Sequence, residues 1–149
     1  MSFQVRRLTL QNNIAVVFAY HTVGVKCLRA LIDGGFKIPL VISHADSPTE
    51  NIWFESVANL CQAHQIPILL DPDLSDPKLQ ERIAQIQPAY LFSFYFRQMI
   101  PTPILQLAKL AALNIHGSLL PKYRGRVPIN WAVLHGEHET GATLHMMEV

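Results

Sequence analysis

Cysteine is scarce in this sequence: Cys27 and Cys61 are the only two in 149 residues, and they form no C-x-x-C. That excludes a disulfide-stapled fold and suits reduced, buried thiols in a cytoplasmic protein. Charge is thin as well. Only 15% of residues are charged and the formal net charge is +1, so no strong field is available to draw in nucleic acid or an acidic membrane. No apolar run approaches the ~20 residues of a membrane-spanning helix; the longest stretches cover 14–20 and 89–96. Arg6-Arg7 ahead of the run at 14–20 faintly mimics a signal peptide. However, Gln11-Asn12-Asn13 separates the charge from the apolar run, and His21 stands where small cleavage-site residues belong. Two fingerprints are missing too. The first strand-to-helix turn, Tyr20-His21-Thr22-Val23-Gly24, lacks G-x-G-x-x-G, which argues against a nicotinamide enzyme. There is no G-x-S-x-G elbow, which argues against a serine hydrolase.

Half of the residues are hydrophobic, so a chain of this length can bury a substantial core as one domain. Residues 1–13 are mixed in character and read as an N-terminal extension; 14–149 reads as the domain. The run Ile14-Ala15-Val16-Val17-Phe18-Ala19 suits a strand buried on both faces. Apolar positions 23, 25, 28, 31 and 32 have helical spacing, and Gly34-Gly35 ends that helix. Strands are expected at 38–42, 66–70, 89–94, 111–116 and 142–148. Helices are expected at 52–64, with Trp53, Phe54, Val57, Leu60 and Cys61 inward, at 77–87 behind an Asp76 cap, at 103–109 and at 128–135. The alternation predicts an α/β fold: a Rossmann-like, doubly wound, mostly parallel sheet.

The stretch with most chemistry is Asn114-Ile115-His116-Gly117-Ser118-Leu119-Leu120-Pro121-Lys122-Tyr123-Arg124-Gly125-Arg126. Side chains in a strand alternate with period two, so Asn114 and His116 share one face where a parallel strand opens into a loop. Carbonyl chemistry needs such a pair. An amide can donate to a developing oxyanion, and an imidazole can donate or move a proton near neutral pH. Each residue also has a plainer reading: a histidine at a strand end is more often structural, and an asparagine there is a turn former first. Ser118 tempts a nucleophile reading, but nothing around it supplies an elbow. His135, His138 and His145 raise the question of a metal, yet no carboxylate or cysteine completes a pattern, and none is expected.

The same stretch closely resembles the signature N-x-H-x-S-L-L-P-x-Y-R-G of the 10-formyltetrahydrofolate-dependent formyltransferases. The resemblance runs over 14–149 and implies a Rossmann-like fold without a dinucleotide. It also implies 10-formyltetrahydrofolate as formyl donor and no metal. It makes His116 the catalytic acid/base and Asn114 the group that stabilises the tetrahedral intermediate. Arg126 matches a folate-contacting position, and Gln98, Met99 and Ile100 match the segment that passes beside the donor.

Val16-Val17-Phe18-Ala19-Tyr20-His21, Phe92-Ser93-Phe94-Tyr95, Gly117 to Arg126, Pro128, Asn130-Trp131 and Gly136-Glu137 look most like one subgroup. It comprises the formyltransferase domains of bifunctional enzymes acting on UDP-4-amino-4-deoxy-L-arabinose, in lipid A modification and polymyxin resistance. The partners implied are small molecules, a UDP-amino-sugar and folate, with no membrane and with oligomerisation left to a full-length enzyme. Methionyl-tRNA formyltransferase shares the signature and is the alternative acceptor reading, as is an inactive formyltransferase-like fragment. The resemblance further implies an Asp partner for His116 just beyond Val149, so that residues 1–149 alone are expected to be weakly active or inactive.

Overall fold

The computed structural model describes residues 12–147; most of the expected extension at 1–13 lies outside the described residues, as does Glu148 of the expected last strand. Six strands form one sheet in the order β3-β2-β1-β4-β5-β6. They are β1 (Ile14–Ala19), β2 (Lys37–Ser43), β3 (Ile68–Leu70), β4 (Tyr90–Phe94), β5 (Ala111–His116) and β6 (Thr143–Met146). All pairings are parallel except β5 with β6, which is antiparallel. The chain builds outward from β1 to β3, then returns to the other side of β1 with β4. The strand order therefore reverses between β1 and β4, and the crevice above that reversal is where ligands settle in open α/β sheets.

Period-two alternation sorts the side chains of β1 onto two faces. Ala15, Val17 and Ala19 pack with Val25 and Leu28 of α1 (His21–Asp33) and with Val57, Leu60 and Cys61 of α2 (Val57–Ala63). Val16 and Phe18 point the other way, into a cluster with Leu79 and Ile83 of α3 (Pro77–Ile86) and Ile104 of α4 (Thr102–Leu105). Burying such side chains contributes roughly 1.5–3 kcal/mol each, so β1, covered on both faces, anchors the layer order. Gly24 lets α1 approach closely, since a Cβ there would sit 3.1 Å from the Ala19 Cβ. Asp76 caps α3 by accepting from the Lys78 N–H at 2.9 Å, with Pro77 in the first turn, as the sequence suggests.

Four elements differ from expectation, one of them the strand expected at 66–70, which spans only Ile68–Leu70. The helix expected at 52–64 begins only at Val57, where Ser56 accepts the Asn59 N–H at 3.2 Å. Trp53 and Phe54 precede that cap in an irregular segment, and Trp53 is 75% exposed instead of facing inward. The helix expected at 103–109 is a single turn, because the Lys109 and Leu110 N–H groups are taken by the Pro88 and Ala89 carbonyls, which start the next strand pair. The final strand spans Thr143–Met146, shorter than 142–148. Asn13 is not loose: its carbonyl accepts the Lys37 N–H at 3.0 Å and its side chain donates to the Gly35 carbonyl. Cys27 and Cys61 are free thiols, and burial pushes the Cys61 thiol up to about 11.

Candidate active site

The site grows from one face of β5. Ala112, Asn114 and His116 alternate onto the same side; Ala112 joins the α3/α4 core, while Asn114 and His116 beyond it are half-buried. In the antiparallel pair, Asn114 lies opposite His145 and His116 lies opposite Thr143, so all four side chains share that face. On the other flank, Asn114 is level with the buried Ser93 of β4.

Hydrogen bonds fix how the pair presents itself. His116 Nε2–H donates to the Tyr123 carbonyl oxygen at 2.8 Å, because a carbonyl can only accept. The other ring nitrogen, Nδ1, is left as the atom that can take or give a proton. His145 Nδ1–H donates to the Met146 carbonyl at 2.8 Å, so its Nε2 carries a lone pair. That lone pair accepts one N–H of the Asn114 amide at 3.1 Å. The second N–H of the same amide stays available for an oxyanion.

The loop after β5 is tied down by the same strand. Thr143 Oγ1 donates to the Ser118 carbonyl at 2.8 Å and accepts the Leu120 N–H at 3.1 Å. The Ser118 side chain is fully buried and donates to the Lys122 carbonyl at 2.6 Å, which makes it a loop brace and not a nucleophile. Glu137 accepts from the Tyr123 hydroxyl at 2.6 Å and from Lys122 Nζ at 3.3 Å; both contacts hold its carboxyl below the usual range. At Gly141 a Cβ would lie 2.6 Å from Leu119 Cδ2, so a larger residue there would displace the half-exposed Leu119 side chain.

The residues matched to the donor are distributed unevenly. Gln98 and Met99 are exposed on the segment that follows β4, the strand beside β5. Ile100 turns into the α3/α4 core, so only its backbone faces outward chemistry. Arg126 is exposed in the loop that begins with the signature. Among the described residues, no group of three or more His, Cys, Asp or Glu is placed to hold a metal ion, and no helix is long and apolar enough to cross a membrane.

A second cluster lies over the crevice itself. His21, one residue past the end of β1, and Tyr95, next after β4, both adopt positive φ, 65° and 58°, a conformation that costs side-chain-bearing residues of order 1–3 kcal/mol. The His21 ring packs against Phe54 at 4.1 Å, Tyr95 at 5.0 Å and Trp53 at 5.1 Å between centroids. Burial, with the nearby Arg97 guanidinium, holds the His21 pKa below its ordinary value, and its Nδ1 is buried without a partner. Beside it, Arg97 binds Glu50 through two hydrogen bonds of 3.0 and 2.9 Å and lies 4.7 Å above the Tyr20 ring. Sequence reasoning missed this cluster and the role of His145; the signal lay in the aromatics just after β1 and β4 and in Trp53-Phe54 ahead of α2.

The features together define an α/β acyl-transfer scaffold, with an amide and an imidazole at one strand end beside the sheet's crevice. Residues 12–149 match the family model described as formyl transferase, and the chain belongs to that family. Members transfer a one-carbon formyl group with 10-formyltetrahydrofolate as donor. Among solved structures, phosphoribosylglycinamide formyltransferase from Bacillus halodurans is similar, with TM-score 0.70 and 20% identity, over 91% of this chain and 72% of that one. The corresponding enzyme from Coxiella burnetii gives 0.67 and 25% over 90% and 64%. The sugar 3N-formyl transferase WlaRD, solved in the presence of dTDP and 5-N-formyl-THF, gives 0.63 and 24% over 92% and 46%. The chain thus spans less than two thirds of the latter two.

Proposed function

We propose that this chain carries the site that moves a formyl group from 10-formyltetrahydrofolate to the amine of a UDP-amino-sugar, in particular UDP-4-amino-4-deoxy-L-arabinose of lipid A modification. The observation that carries the reaction type is the pairing of Asn114 and His116 on one face of β5, each with one hydrogen-bonding atom committed and one to spare. The neutral sugar amine attacks the formyl carbon. The second Asn114 N–H and a proton on His116 Nδ1 stabilise the oxyanion. Collapse of the tetrahedral adduct breaks the bond from carbon to N10 while a proton passes to N10, so no covalent enzyme intermediate is needed. Gln98, Met99, the Ile100 backbone and Arg126 are the residues we assign to the folate.

The acceptor assignment draws support from the cluster over the crevice. Trp53 and Tyr95 are exposed aromatic rings set around His21 at the crevice, a combination suited to stacking a nucleobase. A nucleotide-sugar relative has the same fold. The test offers 10-formyltetrahydrofolate together with UDP-4-amino-4-deoxy-L-arabinose, glycinamide ribonucleotide, initiator methionyl-tRNA or water, and follows the formylated product by mass. Formylated sugar nucleotide is expected, formed slowly where residues 1–149 are assayed by themselves. Formylation of the ribonucleotide or the tRNA with the sugar nucleotide untouched overturns the acceptor, and release of formate alone indicates hydrolysis.

A further inference from the structure

The segment that follows β4 is held by a residue two strands away. His44 follows β2, and β1 lies between β2 and β4, yet its Nε2 accepts the backbone N–H of Arg97 at 3.1 Å. A backbone N–H can only donate, so Nε2 carries the lone pair and the ring proton sits on Nδ1. That proton is directed at Asp71 Oδ1, 2.8 Å away at the end of β3. Asp71 Oδ2 in turn accepts the Ala45 N–H at 2.9 Å, and the Asp71 N–H bonds the Ser43 carbonyl at 2.9 Å, so the carboxylate is itself fixed. The His44 side chain is only 9% exposed. Its ring stacks on Phe96 at 4.3 Å and 18° and meets the Tyr20 ring edge-on at 5.3 Å.

We infer that His44, oriented by Asp71, is a positioning residue that sets the donor-binding segment 95–100, and that it does so only as the neutral Nδ1–H tautomer. The segment is pinned at Arg97 by this bond and at Ile100 by the core, so Gln98 and Met99 are displayed between two fixed points. A proton on Nε2 would set two donors against each other and release the first pin. The charged and titratable groups around the ring are Asp71 from the end of β3, Tyr20 from the end of β1, Asp46 from its own loop, Glu50 beyond it, and Arg97 on the segment held. Donor binding should therefore weaken when residue 44 cannot accept the Arg97 N–H. The inference rests on the assignment of 98–100 to the folate.

The probe is 5-formyltetrahydrofolate, titrated into the wild-type chain, His44→Phe and His44→Gln at pH 8. Phe keeps the stacking but cannot accept the Arg97 N–H, so about tenfold weaker binding is expected, the size of one lost hydrogen bond. The Gln carbonyl oxygen stands in for Nε2, so His44→Gln should bind nearly as well as wild type. Wild-type affinity in His44→Phe would overturn the positioning role alone. No binding to the wild-type chain would overturn the folate assignment and this inference with it.

Discussion

Asn114 Nδ2 stands 3.1 Å from His145 Nε2, and because the Met146 carbonyl holds the proton of His145 on Nδ1, the amide must be the donor. The contact fixes which end of the Asn114 amide is nitrogen and aims its second N–H. On the proposed mechanism, in which Asn114 stabilises the oxyanion, His145 positions that amide. Replacing it with Ala leaves the amide free to rotate. Turnover should fall about tenfold, short of the roughly 10²–10³-fold lost when an oxyanion donor is deleted outright. KM for the folate should stay put, and His145→Gln, with a carbonyl oxygen near the Nε2 position, should recover most of the rate. Steady-state kinetics on the three forms checks this; a His145→Ala enzyme with unchanged kcat contradicts it.

Ser118→Ala should cost stability and little chemistry. The hydroxyl is buried and its one observed bond, to the Lys122 carbonyl, holds the signature loop. Loss of about 1 kcal/mol, a fall of roughly 2–4 °C in Tm, is expected. Activity measured well below Tm should remain. Abolished turnover in a folded protein would restore the nucleophile reading.

The acid limb of stability should report on Asp71. The hydrogen bond from His44 and the Ala45 N–H hold its carboxyl below the ordinary 3.8. A carboxylate with a depressed folded pKa stabilises fully above its unfolded value, and that contribution fades as the pH falls through the folded value. The Tm difference between wild type and Asp71→Asn should shrink as the pH falls below about 4. A difference that grows between about pH 4 and 2 would contradict the sign.

Strands were the most legible part of the sequence, because β1 is an unbroken apolar run, β4 is one but for Ser93, and both are covered on two faces. Asn114 and His116 were legible for a related reason: period two puts them together whatever surrounds them. The register of β6 against β5 was not, since nothing local in Thr143–Met146 names its antiparallel partner. His145 therefore read only as a stray metal-ligand candidate. Trp53 and Phe54 misled differently. Their spacing to Val57 and Leu60 is helical, but Ser56 caps the helix later, and the two aromatics pack on His21 at the crevice instead. Ile100 was assigned to the folate through the segment it sits in, while its side chain serves the core.

The most direct test of the account is single-turnover formyl transfer to the sugar nucleotide by Asn114→Ala and His116→Ala, alongside 5-formyltetrahydrofolate binding to each. The account predicts that each substitution cuts the transfer rate by roughly 10²–10⁴-fold and leaves donor affinity in place. Wild-type transfer by either variant would contradict it.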